Sequence, residues 1–134
     1  MLFRSGNVGS QSATIVVRSL ALGHLESSKE RAKVIWREFS VGVMMGAIYG
    51  FALAVFAFIV YGHQFGIEFS IVVAVGMGTS MTVAATMGAL EPVIFHRMGI
   101  DPATATGPLI TTITDIISNL TYFVLASALL LGAH

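Results

Sequence analysis

The sequence predicts an all-α protein, a polytopic membrane helix bundle of three full transmembrane helices preceded by an N-terminal half-helix. Three observations carry that prediction. The 134 residues are 55% hydrophobic and 10% charged, with a mean hydropathy of +0.84, whereas soluble domains hold roughly 25% charged residues. Stretches 41–62, 69–90 and 108–133 are apolar and contain no lysine or arginine. Each matches the ~20 apolar residues that a ~30 Å hydrocarbon core requires at the α-helical rise.

Taken in order, residues 1–5 lead into a polar, glycine-rich turn, Gly6-Asn7-Val8-Gly9-Ser10-Gln11-Ser12, rather than into an apolar run, so no signal peptide is expected. Residues 7–25 read as a helix too short to span and carrying Arg18. Helical spacing puts Asn7, Gln11, Thr14 and Arg18 on one face of it. Residues 26–38, ESSKERAKVIWRE, read as a solvated, charged cytoplasmic linker helix. In the span 41–62, Gly42, Gly46, Gly50 and Ala54 recur every fourth residue, and in 69–90 so do Gly76, Ser80, Ala84 and Gly88. Such ladders let helix backbones approach closely in a membrane, where no hydrophobic force drives association. Thr79, Thr82 and Thr86 are expected to bond back to their own helix. Glu68 and Glu91 stand at span ends and read as solvated boundary residues. Asp101, Pro102 and residues 104–106 form a turn before Gly107-Pro108, where proline suits the first helical turn.

Lysine and arginine placement orients the chain. Arg18, Lys29, Arg31, Lys33 and Arg37 surround the first loop and Arg97 precedes the last span, while 63–67 and the C-terminus hold neither residue type. The positive-inside rule places 23–38 and 91–106 in the cytoplasm, and 63–67 and the C-terminus outside.

Several function classes are excluded or weakened. Seven basic and seven acidic residues balance to zero, which argues against nucleic acid as a partner. No cysteine is present, so thiolate metal sites and cysteine nucleophiles are out. His24, His63, His96 and His134 are scattered through loops and ends. The glycine-rich turn lacks the Lys-Ser/Thr that a phosphate cradle needs. An intramembrane aspartyl hydrolase requires two paired acids, and the spans offer one, so an enzyme is not expected.

That one acid is Asp115. An ionisable group at mid-membrane costs at least ~2.5–3.5 kcal/mol on insertion scales and by default marks function. Thr111, Asp115, Ser118, Asn119 and Tyr122 recur at three- and four-residue steps, giving one polar helix face, with Ile113, Ile116, Leu120 and Phe123 elsewhere. A carboxylate among hydroxyls and an amide suits a hard, hydrated cation. Magnesium takes oxygen ligands, keeps several waters and is held by one or two carboxylates. A symmetric pair of chains would present two such aspartates. Asp115 lies roughly 10 Å into the membrane from the cytoplasmic end of its span.

These motifs resemble a known family. GNVGSQSATIVVRSLALG, a charged loop, two glycine-rich spans and RMGIDPATATGPLITTITDIISNLTYF are similar to the membrane domain of MgtE-type magnesium transporters. The resemblance implies a homodimer of five-span subunits in the bilayer, with a passive cation path lined by the second and fifth spans. It implies Asp115 as the pore carboxylate for transported Mg2+, with the Thr111 carbonyl beside it, and Asn7 and Gln11 in the polar turn. Thr14, Ser118 and Asn119 complete the expected pore lining. Some members have asparagine where this chain has Gly107. Residues 1–134 correspond to a partial membrane domain, with no counterpart of the family's cytosolic N-domain or CBS module. The expectation is Mg2+ conduction in a bacterial inner membrane. The alternative is a truncated, non-transporting subunit that packs against a longer family member.

Overall fold

The computed structural model describes residues 3–101 and 107–132, and these are helical throughout apart from their connecting turns. Three helices follow one another: α1 (Phe3–Ala21), α2 (Ser28–Arg97) and α3 (Pro108–Gly132). The expected turn at 102–106 and the last residue of the expected span 108–133 lie outside the described residues.

Helix α1 starts earlier and stops sooner than the expected 7–25. It ends in a Schellman motif, with Gly23 N–H donating to Leu20 O (3.0 Å) and His24 N–H to Ser19 O (3.0 Å). Helix α2 opens with a capping box, the Ser27 side chain accepting from the Lys29 backbone and Glu30 from the Ser27 N–H. The charged segment 28–38 is thus the first turns of the same rod as the span that follows.

The 70 residues of α2 would reach about 105 Å as one straight rod, over three times a ~30 Å hydrocarbon core. They are not one rod. Gly66 has φ 69° and ψ −174°, a region open essentially to glycine alone, and it divides α2 into limbs 28–65 and 67–97. The limbs fold against each other. Cβ atoms added to Gly42, Gly46 and Gly50 would meet Ala85, the Gly78 carbonyl and the Ala74 carbonyl at 2.8, 2.6 and 2.7 Å. These pairings descend on one limb as they ascend on the other, so the limbs are antiparallel.

The second ladder faces the other helices. A Cβ on Gly88 would collide with the Gly9 carbonyl of α1, and one on Gly76 would meet the Tyr122 ring of α3 at 2.9 Å. Ser80 Oγ donates to the Ser118 carbonyl of α3 at 3.0 Å. Thr82 and Thr86 bond back to Gly78 O and Thr82 O as expected. Helix α1 therefore runs alongside the second limb and α3 antiparallel to it. At the loop end, Val16 and Leu25 pack with Ala89 and Val93, flanked by Leu20, Val34 and Ile35.

Large apolar side chains face outward. Phe51 is 72% exposed, and Phe56, Ile59, Phe123 and Val124 are exposed as well. Helices α2 and α3 are long and apolar enough to cross a membrane, and this outward apolar belt is what lipid would cover.

Candidate ion-path face

Helices α1 and α3 each turn one face to α2 and leave a polar edge uncovered. On α1, Gly9, Ser12, Ala13 and Val16 are buried, whereas Asn7, Gln11, Thr14 and Arg18 are exposed on the opposite side. On α3, Ile110, Thr114 and Ser118 form the buried line at four-residue steps, and Thr111, Asp115 and Asn119 flank it half-buried. The two polar edges meet where Ser10 Oγ and Thr111 Oγ1 are hydrogen-bonded at 3.1 Å. An open groove of about 480 Å³ runs along Asn7, Ser10, Gln11, Thr14 and Ile15. A smaller, more enclosed one of about 190 Å³ lies between the helices, lined by Ser10, Ala13, Thr14, Gly107, Ile110 and Thr111.

Asp115 stands one helical turn beyond Thr111. Its Oδ1 is buried and has no hydrogen-bond partner among the described residues. Ionised carboxylate oxygens only accept, and a buried acceptor left unsatisfied costs ~1–3 kcal/mol or more, so the atom is suited to a partner from outside the chain. Among the described residues no group of three or more His, Asp or Glu could hold a metal. A cation here would meet one carboxylate per chain and keep most of its water.

The structure brings Asn7, Gln11 and Thr14 to one groove and Thr111 to its neighbour, with Asp115 and Asn119 continuing the α3 edge. It separates Ser118 from them. Ser118 is fully buried against α2, its hydroxyl donating to Asp115 O at 3.3 Å and its carbonyl accepting from Ser80. Tyr122 likewise lies over Gly76. At three-residue steps a helical stripe drifts sideways, and here that drift carries Ser118 from the open edge into the packed one.

Two acids expected to be solvated are buried. Glu91 is 4% exposed rather than solvated, with Thr114 Oγ1 3.3 Å from both carboxylate oxygens. Glu38, expected in the solvated linker, is 3% exposed and accepts from Ser12 Oγ at 2.8 Å. Their partners lie 23 and 26 residues away, and no local pattern announces them.

An all-helical bundle with an outward apolar belt and helices long and apolar enough to cross a membrane defines the class of integral membrane proteins. Within that class the comparisons are specific. The MgtE family model, described as divalent cation transporter, matches residues 2–125, and the chain belongs to this family. Among curated proteins, the "Magnesium transporter MgtE" of Bacillus subtilis is 35% identical over 124 residues, 92% of this chain and 27% of that protein. The protein of the same description from Enterococcus faecalis is 35% identical over 92% of this chain and 26% of its own length. That from Thermus thermophilus is 34% identical over 97% and 28%. The chain thus spans about a quarter of the length of the curated relatives it matches.

Proposed function

We propose that this chain contributes to a transmembrane path for hydrated divalent cations, with Mg2+ as the transported ion and Asp115 as the carboxylate that attracts it. The observation that carries this reading is the buried, unpartnered Oδ1 of Asp115 on the edge that α3 shares with the polar groove of α1. The chain's similarity to magnesium transporters of the family supports Mg2+ as the ion. Asn7, Gln11, Thr14, Thr111 and Asn119 offer oxygens to the ion's water shell, while Ser118 serves packing.

The two limbs of α2 cross the bilayer separately, so with α3 the chain makes three crossings, and α1 enters part-way from the cytoplasmic side. The uncovered polar edge is closed by a second copy or a longer family member, bringing two Asp115 carboxylates to one axis. Lysine and arginine placement sets the 28–38 end in the cytoplasm of a bacterial inner membrane and the C-terminus outside. Flow is passive, down the electrochemical gradient, and no catalytic step is involved.

The test is growth and Mg2+ uptake in cells stripped of their own uptake systems, expressing the chain or its Asp115→Asn variant at matched membrane levels. Uptake that falls to background in the variant supports the reading. Equal uptake from both removes Asp115 from the path. No uptake unless a longer family member is co-expressed selects the partner-dependent subunit.

A further inference from the structure

The ion-path face uses neither of the chain's two most buried acids, yet both sit where α1 and α3 join α2. Glu38 belongs to the first limb and Glu91 to the second, and they are 3% and 4% exposed. Each accepts from a hydroxyl on a different polar-edged helix. Ser12 Oγ donates to Glu38 Oε2 at 2.8 Å, and Thr114 Oγ1 lies 3.3 Å from both Glu91 oxygens. The donors immediately neighbour edge residues, since Ser12 follows Gln11 and Thr114 precedes Asp115. Successive helical residues point about 100° apart, so holding Ser12 and Thr114 against α2 turns Gln11 and Asp115 toward the open side.

Besides these ties, Ser80 Oγ donates to the Ser118 carbonyl at 3.0 Å and Ser10 pairs with Thr111 at 3.1 Å, and much of the remaining contact is close and smooth. Gly9 and Gly88 touch backbone to backbone, and a Cβ on Gly9 would meet Thr114 Cγ2 at 2.5 Å. Small, smooth surfaces of this kind allow close approach but leave the rotation of a helix weakly defined. A buried side-chain hydrogen bond is directional and so defines that rotation. Pro92 follows Glu91 inside the helix and cannot donate to the Gly88 carbonyl, which leaves the second limb's own ladder weakest beside this tie.

We propose that Glu38 and Glu91 are positioning residues, buried acceptors by which the α2 hairpin fixes the rotation of α1 and α3 and so aims the polar edge that carries Asp115. The consequence for transport rests on the cation-path reading above. The ties themselves do not.

The experiment uses the whole chain reconstituted in liposomes, with two readouts. Amide hydrogen exchange over 108–118 reports the Thr114–Glu91 tie without reference to transport. Thr114→Val and Glu91→Ala are expected to raise exchange there on the order of tenfold while residues 41–62 stay protected. Thr114→Ser and Glu91→Gln, which keep a donor and an acceptor, remain as the parent. In the double variant Thr114→Val/Glu91→Ala the effects do not add, because both changes remove one interaction. Over 7–18, Ser12→Ala and Glu38→Ala behave alike. Unchanged exchange in these variants, or equal losses from Glu91→Gln and Glu91→Ala, overturns the proposal, the latter because the charge rather than the bond would then matter. The second readout is Mg2+ flux, which falls in the tie-breaking variants and is retained in Thr114→Ser and Glu91→Gln. If exchange responds as expected but the parent chain carries no Asp115-dependent flux, the ties stand and the cation-path reading fails.

Discussion

The two halves of the α2 hairpin make two different kinds of contact, and their difference separates folding from function in this chain. Between the limbs, Gly42, Gly46 and Gly50 bring backbone against backbone. Between the hairpin and α1 and α3, close approach at Gly9, Gly88 and Gly76 is combined with hydroxyl bonds from Ser12, Ser80 and Thr114. In a bilayer, shape alone can hold two apolar helices together. A helix with a polar edge must also be held at one rotation, or its polar groups turn into lipid. The bonds from Ser12, Ser80 and Thr114 hold the two helices that carry polar edges.

That comparison can be broken at graded points. The largest effect is expected from Gly88→Ala, whose Cβ would strike the Gly9 carbonyl group, a rigid obstacle. Overpacking of this kind costs ~3 kcal/mol or more when backbone must shift, and heating the detergent-solubilised chain should show a large drop in its midpoint. Gly46→Ala follows, with its Cβ 2.6 Å from the Gly78 carbonyl oxygen. A cost of ~1–3 kcal/mol is expected, read as loss of the folded fraction in the same melts, with Asp115-dependent flux per folded molecule preserved. Ser80→Ala removes a buried bond to the Ser118 carbonyl and should cost about 1 kcal/mol, measured as a modest shift in melting. Gly78→Ala should be the mildest. Its Cβ would lie 3.5 Å from the Gly46 oxygen, an ordinary contact, and alanine's ~1 kcal/mol helical advantage over glycine offsets any crowding. A strong loss there would mean the seam is tighter than the structure has it.

Much of this architecture was legible in the chain. Apolar runs of bilayer length announced long apolar helices, and the four-residue ladders announced close packing, although not that one ladder closes the hairpin while the other receives α1 and α3. Asp115 stood out as the lone charge in a long apolar run, and the structure leaves its buried Oδ1 without a partner among the described residues. The face shared by Asn7, Gln11 and Thr14 followed from helical spacing, and the structure shows all three exposed along one groove. What was not legible depends on contacts distant in sequence. Glu38 and Glu91 look like residues of a charged loop and a span boundary, and only the packing of α1 and α3 over them makes them buried acceptors. Ser118 looked like part of the Asp115 stripe, and its burial is decided by which side of α3 meets α2. The extent of α2 was also hidden, because helix continues through 63–65 to the single break at Gly66.

The most direct test of the central claim is Mg2+ entry into liposomes holding the purified chain and an entrapped Mg2+ indicator, with the chain and its Asp115→Asn variant incorporated at equal amounts. Entry is expected with the parent chain and background signal with the variant, both showing the same helical content. Entry at the parent rate through Asp115→Asn would contradict it.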